Sequence, residues 1–421
     1  MFKAVAGYYK DNERLRLLVK IIAVWLISRA VMLLMVPVMN LIADEPHQWL
    51  YYMNPWDAEW YKGIVENGYQ PPKSSGMASW AFFPLYPLVC MAVRLVTMGS
   101  IDTYAVGMTV SNICIIIAVY YAVKYADIEL DMKKYNKKTV EDIIIFLMLA
   151  GPFAVYYGAM YTEALFILCV ILCFYNSARH NYMAAGIAAA MASATRIVGC
   201  MLVFVLITYM FMETCAECRA KHNSEMKDNK EAGILIAGNI SLASVIRTFI
   251  KNVIKEPKKL VAIMISPLGI FIYMNYLRYF CGDSWAFYHV QRAWRTQKMF
   301  PVIGVLFKSC TGQLSAASGV KTLNGIILGW LCVITLMLYA AMIRKKHYAL
   351  GIFGIIVLLI PLTSSVMSTL RFIMGSFVIY IGVAEIIAGC NRYVRYGIIT
   401  LLSIVEIVVI SAWYFWDGLL M

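Results

Sequence analysis

Long apolar runs constrain this chain more than any other feature of its sequence. Runs of about 18 or more largely apolar residues recur from one end to the other, and each could cross a hydrocarbon core about 30 Å thick. Apolar residues make up 62% of the 421 residues, whereas soluble domains contain roughly 45–50%. The sequence therefore predicts an all-α polytopic membrane protein in which residues 1–421 form a single integral-membrane domain.

The basic residues predict how the helices are oriented. Most of the 37 Lys and Arg side chains lie in short segments between apolar runs, as expected when basic loops stay in the cytoplasm. On this rule residues 1–20 form a cytoplasmic tail, residues 214–259 form the longest cytoplasmic loop, and about eleven helices cross the membrane. Within that loop, residues 242–254 are amphipathic and are predicted to lie on the inner membrane surface. The net charge of +13 thus needs no nucleic-acid partner.

The first outer segment, residues 44–98, requires a helix that does not cross. If the apolar run 81–98 crossed the membrane, the basic loop 127–140 would lie outside the cytoplasm, against the positive-inside rule. Two prolines and Arg94 also make this run a poor lipid-facing span. Residues 44–98 are therefore predicted to form an outer loop that ends in a juxtamembrane or re-entrant helix.

Residues 54–87 combine acidic residues, aromatic residues and turn formers between two apolar regions. A solvated loop needs no such density of aromatic side chains, whereas a site for an amphipathic ligand does. Asp57 is the best candidate for a general base, Glu59 is a second catalytic candidate, and Trp56 and Tyr61 are candidate substrate-binding residues. Two plainer explanations stay open, because aromatic residues also form interfacial belts and loop carboxylates are usually only solvated.

Six further polar residues are predicted to reach the same outer face, at the ends of later helices. They are Glu163, Arg196, Asp283, His289, Arg292 and Arg371. Carboxylates, a histidine and arginines among aromatic residues suit a phosphorylated or lipid-linked ligand. In a glycosyl transfer, a carboxylate takes the proton of the acceptor hydroxyl, and an arginine stabilises the charge on a lipid-phosphate leaving group. Spacing alone does not choose among the arginines, and Glu163 could instead complement a helix N-terminus.

A secondary transporter or flippase of an amphipathic or lipid-linked substrate is the alternative function. Arg29, Glu385 and Glu406 lie within predicted spans, and ionisable residues inside the membrane are often functional. A transporter, however, usually places its site near mid-membrane between matched halves, and this chain has no internal repeat. No HxxxH or Cys/His spacing suggests zinc, because Cys215 and Cys218 form a lone CxxC without a second pair, and no metal or other cofactor is expected.

Several short segments resemble one known family. Residues 56–61 (WDAEWY), followed by AFFPLYP at residues 81–87, resemble the PIG-V family, the GPI mannosyltransferase 2 type. Later segments are similar to the family's further markers, in the same order. These are residues 161–166 (YTEALF), 194–199 (ATRIVG), 282–287 (GDSWAF) and 371–372 (RF).

The resemblance implies a glycosyltransferase of the polytopic C-type class, with its active site at the non-cytoplasmic face. Such an enzyme takes a sugar, typically mannose, from a polyprenyl-phosphate carrier and transfers it to a lipid or glycan acceptor with inversion of the anomeric centre. The acidic residue in the first outer loop, which is the base in this class, corresponds to Asp57. Compact outer loops are more typical of bacterial members, so a bacterial cell membrane is expected, or the endoplasmic reticulum membrane if the protein is eukaryotic.

Overall fold

The computed structural model describes residues 12–43, 48–73, 76–231, 241–293, 301–313, 322–363 and 365–420. Within these ranges every regular element is a helix, and no strand occurs. The α-helices are α1 Glu13–Ile42, α2 Trp49–Met53, α3 Asp57–Asn67, α4 Leu85–Val96, α5 Thr103–Glu129, α6 Lys137–Leu149, α7 Glu163–Ala178, α8 Tyr182–Ser193, α9 Leu202–Glu231, α10 Leu242–Lys255, α11 Pro257–Ile265, α12 Leu268–Cys281, α13 Ala286–His289, α14 Val302–Cys310, α15 Thr322–Arg344, α16 Tyr348–Leu362, α17 Thr369–Gly375, α18 Val378–Gly389 and α19 Arg392–Tyr414. Short 3₁₀ helices cover Ser79–Ala81, Ala154–Tyr157, Ile197–Met201 and Val290–Ala293.

Five helices of the described part are long and apolar enough to cross a membrane: α1, α5, Ile197–Ser224, α15 and α19. Two bent pairs, α11 with α12 and α17 with α18, raise the number to seven if each pair is one span. The predicted count of about eleven spans is therefore not confirmed. The number of long helices is lower than the number of apolar runs because some runs are interrupted. For example, α6 ends at Leu149 just before Gly151 and Pro152, which are poor helix formers.

Side-chain caps explain where many helices begin. Asn12 accepts a hydrogen bond at 3.0 Å from a backbone N–H of the first turn of α1, and Asp102 does the same at 2.8 Å for α5. Asparagine caps also precede α6, α8 and α19. Each cap satisfies a backbone N–H that has no partner within the helix. By contrast, no side chain caps α3, α7 or α17, which carry five of the candidate site residues: Asp57, Glu59, Tyr61, Glu163 and Arg371.

The apolar run 81–98 contains one short helix, α4. Its 12 residues give a length of about 18 Å, which is less than a hydrocarbon core of about 30 Å. The helix is tied to the protein because the Tyr86 hydroxyl donates to the carbonyl of Gly107 at 2.9 Å. At its other end, Arg94 lies 3.8 Å from the carboxylate of Glu66. On its own α4 is too short to cross; its location at the outer membrane face stays a prediction.

Cysteine labelling can test on which side α4 ends. Met98 follows α4 in a turn and is 94% exposed. If the basic loops are cytoplasmic, Met98→Cys is expected to react with a membrane-impermeant maleimide from the side opposite to Arg344→Cys. The measurement uses sealed vesicles of defined orientation, with the unsubstituted protein as background because it contains 11 cysteines. Labelling of both positions from the same side would show that the segment ending at α4 crosses.

Helices α5 and α7 pack closely on one another, and Asn54 contacts both α5 and the segment just before α7. Gly107 of α5 lies directly against the side chain of Met160, where a larger residue would clash. The side-chain oxygen of Asn54 accepts a hydrogen bond from the Met160 backbone N–H at 2.7 Å, and Ser111 donates to the carbonyl of Tyr161 at 3.2 Å. These contacts hold the start of α3 beside the start of α7.

The ionisable residues inside the helical bundle face other protein groups. Arg29 donates from Nε to Asn112 Oδ1 at 2.8 Å and from Nη1 to a backbone carbonyl at 3.2 Å. Arg29 thus faces protein, as the high cost of a charge in lipid requires. Glu385 forms an ion pair with Lys345 at 2.9 Å and accepts a hydrogen bond from the Tyr135 hydroxyl at 3.0 Å. Neither carboxylate oxygen of Glu406 has a hydrogen-bond partner among the described residues.

Candidate functional site

Asp57 and Arg371 each lie in the first turn of a helix that follows a residue with positive φ. Trp56 precedes α3 with φ +48°, and Ser368 precedes α17 with φ +61°. Such a backbone costs free energy in any residue but glycine, and it occurs preferentially at functional sites. The Trp56 ring lies edge-on to the ring of Trp413 in α19, with centroids 5.4 Å apart, so tertiary packing helps to hold this conformation.

Four side chains of alternating charge form a row that we call the charge ladder: Asp57, Arg371, Glu163 and Arg196. Arg371 donates from Nη1 to Asp57 Oδ2 and from Nε to Glu163 Oε1, the latter at 2.5 Å. Arg196 donates from Nη2 to the same Glu163 oxygen at 3.0 Å. The ladder therefore joins α3, α7, α17 and the segment before the third 3₁₀ helix, and its formal charges cancel.

Within the charge ladder, Glu163 is the most buried side chain and Asp57 is the most exposed. The Glu163 side chain is 1% exposed, whereas the Asp57 side chain is 27% exposed. A buried carboxylate is tolerated only when cations and hydrogen bonds compensate for its lost hydration, and Glu163 has two arginines for this purpose. Asp57 is the member of the ladder with the most access to a ligand.

Aromatic rings surround the charge ladder. The guanidinium of Arg371 lies 4.9 Å from the centroid of the Tyr161 ring, and the Tyr161 hydroxyl accepts a hydrogen bond from the Asp57 backbone N–H at 3.3 Å. Arg196 lies near two rings, at 5.8 Å from Phe166 and 5.5 Å from Phe372. These contacts orient both guanidinium groups by packing as well as by charge.

Two buried atoms of the charge ladder have no hydrogen-bond partner among the described residues: Nη1 of Arg196 and Oε2 of Glu163. In the same described part, Asp57 Oδ1 accepts no hydrogen bond. Arg371, by contrast, contacts both carboxylates. The site thus combines a carboxylate oxygen that can accept a proton with a buried guanidinium donor that has no partner in the described part of the chain.

Glu59 lies away from the charge ladder, although it is only two residues from Asp57. Its carboxylate accepts a hydrogen bond from the hydroxyl of Tyr104 in α5, and its side chain is exposed. Residues two apart point to different sides of a helix, so α3 presents its two acidic residues to different surroundings. Tyr104 is a partner that no sequence pattern indicated.

The aromatic candidates Trp56 and Tyr61 both pack against other aromatic residues. Tyr61 is buried, with its ring 5.1 Å from Phe82, and its hydroxyl lies 3.4 Å from the Thr162 hydroxyl. Burial raises the pKa of Tyr61 above its ordinary value, so this hydroxyl stays protonated. The Trp56 ring contacts α19 near the end of the chain. The only sequence signal for that contact is the aromatic run 413–416 (WYFW).

Asp283, His289 and Arg292 lie in a second place, around α13. His289 Nδ1 is 2.6 Å from Asp283 Oδ2, and this hydrogen bond lowers the pKa of Asp283. Arg292 is exposed. Phe287 of α13 packs against Phe83 with ring centroids 5.3 Å apart, which places α13 beside the segment that precedes α4. Among the described residues, no hydrogen bond or ion pair joins these three side chains to the charge ladder.

No group of three or more His, Cys, Asp or Glu side chains suited to a metal ion occurs in the described ranges.

Solved structures of one archaeal enzyme are similar to this chain. No curated protein matches the chain. Two solved structures of the oligosaccharyltransferase from Archaeoglobus fulgidus are similar to this chain: one carries a tethered acceptor peptide with the NVT sequon, and the other is a complex with an inhibitory peptide and a dolichol-phosphate. Both are 13% identical, with TM-scores of 0.48 and 0.47, and cover 97% and 98% of this chain. The chain spans 56% of each of them, about half their length.

The family itself is defined by sequence. The model of the mannosyltransferase (PIG-V) family matches residues 15–300, which is more than half of the 421 residues. The match includes Asp57, Glu163 and Arg196, and it ends before Arg371. The chain therefore belongs to the PIG-V family of mannosyltransferases, a class of membrane glycosyltransferases.

Proposed function

We propose that this protein transfers a mannosyl group from a polyprenyl-phosphate carrier to a lipid or glycan acceptor, with Asp57 as the general base. One observation carries the proposal. Asp57 is held by Arg371 through one carboxylate oxygen while the other oxygen accepts no hydrogen bond within the described residues, and a guanidinium donor of Arg196 is unpartnered in the same ladder. A base and an anion-binding donor are the two groups that this reaction needs.

The proposed reaction is a single displacement at the anomeric carbon. The acceptor hydroxyl oxygen forms a bond to this carbon as the bond to the carrier phosphate oxygen breaks. The hydroxyl proton passes to Asp57 Oδ1, and the bonding electron pair leaves with the phosphate. Because attack and departure occur on opposite faces, the configuration of the anomeric carbon inverts. The chain's own groups orient the base and stabilise the departing phosphate.

The three candidate arginines differ in their freedom to bind phosphate. Arg371 already contacts Asp57 and Glu163, so we assign it to orienting the base. Arg292 is exposed, and within the described residues no hydrogen bond or ion pair joins it to the charge ladder, so we do not place it beside the base. Arg196 is held by Glu163 through Nη2 but has a free Nη1. We therefore propose Arg196 as the phosphate ligand, and the Asp283–His289 pair, beside the first outer loop, as a contact to the acceptor.

A transfer assay with a defined donor tests the proposed function. Purified protein is given radiolabelled polyprenyl-phosphate-mannose and membrane lipid acceptors, and the product is scored as a new mannosyl lipid or glycan. A sugar nucleotide without a lipid carrier is given in a parallel reaction. Transfer from the lipid-linked donor alone is expected. Turnover of the sugar nucleotide would contradict the proposed donor, and movement of the lipid-linked sugar across sealed vesicles without a new glycosidic bond would favour a transporter.

Arg196→Gln is expected to lower kcat/KM for the lipid-linked donor by about 10²-fold, because one charge-stabilising donor to the leaving group is lost. The measurement is initial rate against donor concentration. Arg292→Gln is the matched control, since it removes an exposed guanidinium from the same predicted face. Equal losses in both variants would contradict the assignment of Arg196.

We also propose how the protein is arranged in its membrane. The protein acts as a single domain in a multi-pass arrangement, with its charge ladder at the non-cytoplasmic face and its N-terminus in the cytoplasm. The membrane is a bacterial cell membrane, or that of the endoplasmic reticulum in a eukaryote. The donor is a substrate rather than a cofactor, and the reaction requires no metal ion.

A further inference from the structure

Helix α10 is a surface element with two different apolar faces. It begins after Ser241, whose hydroxyl oxygen accepts a hydrogen bond from the Ser244 backbone N–H at 3.2 Å, and it runs for 14 residues. One face packs on the protein. Val245 and Val253 are buried there, and the Phe249 ring lies 5.6 Å from that of Phe211 in α9. This face accounts for the attachment of α10 to the protein.

A second apolar face of α10 points away from the protein. Its four members recur at every fourth position, which places them along one stripe of an α-helix. They are Leu242, Ile246, Ile250 and Ile254, and each is between 43% and 68% exposed. Single exposed apolar residues are ordinary on protein surfaces, whereas a continuous stripe of large aliphatic side chains requires an apolar environment.

A basic stripe runs beside the exposed apolar stripe. Arg247, Lys251 and Lys255 also recur at every fourth position, one residue after Ile246, Ile250 and Ile254. At about 100° per residue, the basic stripe lies on the side of the apolar stripe that is turned away from the packed face. The sequence of α10 contains no acidic residue. A helix with an apolar stripe flanked by basic residues is suited to the boundary between lipid headgroups and acyl chains.

The position of α10 in the chain places it at such a boundary. Lys255 ends α10, and Pro257 begins α11 only two residues later. Helices α11 and α12 together are long and apolar enough to cross a membrane, with a bend of 42° between them. A helix joined directly to the end of a span lies at the level of the headgroups. The apolar stripe of α10 therefore has lipid within reach.

We infer that α10 is a docking element for an anionic bilayer surface, in which the isoleucine stripe enters the acyl boundary and the basic stripe binds lipid phosphate groups. The continuity of α10 with a span and the unbroken positive charge favour this occupant over a second copy of the chain or a soluble protein. The inference is independent of the sugar-transfer reaction. Its effect would be to hold α10 and the start of α11 at the membrane surface.

Photo-crosslinking in lipid nanodiscs tests this inference on the full chain. p-Benzoylphenylalanine is placed at Ile250, on the exposed apolar stripe, and in a matched control at Ser244, which is also exposed but lies on another side of α10. The nanodiscs contain either phosphatidylcholine alone or phosphatidylcholine with phosphatidylglycerol, and adducts are identified by mass spectrometry. Lipid adducts are expected at position 250 and few at position 244. Adducts at position 250 to another segment of the chain or to a second protein copy would overturn the inference.

The basic stripe is tested separately. A variant with Arg247→Gln, Lys251→Gln and Lys255→Gln, with the photoreactive residue at position 250, is compared with one that carries Arg278→Gln and Arg292→Gln elsewhere. Because each basic residue near an anionic surface contributes several-fold to binding, the preference for phosphatidylglycerol adducts should fall by roughly tenfold or more only in the first variant. An unchanged preference in that variant would overturn the role of the basic stripe.

Discussion

Asp57→Asn is expected to lower kcat for mannosyl transfer by about 10²- to 10⁴-fold, the range that a general base contributes. The substitution preserves the shape of the side chain and an oxygen for Arg371 Nη1, but the amide cannot accept the proton of the acceptor hydroxyl. The measurement is the rate of transfer from radiolabelled polyprenyl-phosphate-mannose at saturating donor. Because substrate binding depends on other groups, KM for the donor should change less than kcat.

Glu59→Gln is the matched control for this prediction. It removes a carboxylate from the same helix, two residues away, whose structural partner is Tyr104 rather than Arg371. An amide oxygen can still accept the Tyr104 hydrogen bond, so the rate should stay within a few-fold of wild type. Full activity of Asp57→Asn, or an equal loss in both variants, would show that the base lies elsewhere.

Arg371→Ala is expected to lower the free energy of unfolding by about 3–5 kcal/mol, the cost of breaking a buried ion pair by removing one partner. Glu163 would keep only Arg196, although its side chain is 1% exposed and it now has two guanidinium neighbours. Asp57 would lose its ion pair at the same time. The measurement is reversible unfolding in mixed detergent micelles, followed by tryptophan fluorescence.

Two further variants separate the loss of charge from the loss of geometry. The free energy of unfolding of Arg371→Lys should lie between those of wild type and Arg371→Ala, because lysine keeps the charge but cannot bind two carboxylates in the fork geometry of a guanidinium. Arg292→Ala should change the free energy of unfolding by less than about 0.5 kcal/mol, as expected for an exposed side chain away from a buried network. If Arg371→Ala behaves like Arg292→Ala, the charge ladder does not stabilise the fold.

A double-mutant cycle shows whether the ion pair between Arg371 and Glu163 accounts for the loss of stability in Arg371→Ala. The double variant Arg371→Ala with Glu163→Gln should lose less free energy of unfolding than the sum of the losses in the two single variants. Arg371→Ala alone leaves a buried carboxylate short of partners, whereas the double variant has no carboxylate at position 163. Additive losses would mean that Arg371 stabilises the protein through Tyr161 or Asp57 instead.

The sequence predicts the residues of the site better than it predicts how they pair. The acidic and aromatic residues around Asp57, and the polar ends of later helices, can be recognised as unusual because the surrounding runs are so apolar. Asp57 and Glu59, however, look equivalent in sequence, and only the packing of α3 against α5 and α7 gives them different partners. The three candidate arginines are equally alike in sequence, although one contacts two carboxylates and one has a buried donor without a partner among the described residues.

The span count illustrates the same limit. Hydropathy identifies apolar runs, but it does not report where a run is broken into shorter helices. Helices α6 and α8, for example, have only 13 and 12 residues, and each is shorter than a hydrocarbon core of about 30 Å at 1.5 Å per residue.

The sequence by itself determined the helical membrane class and the family, because apolar run length, charge placement and local motifs are properties of neighbouring residues. The tertiary structure decided the site. Arg371 and Asp57 are 314 positions apart, and Arg371 is 208 positions from Glu163. Contacts over such separations depend on how side chains on distant helices pack, and no local periodicity encodes that. The charge ladder therefore exists only after α3, α7 and α17 have come together.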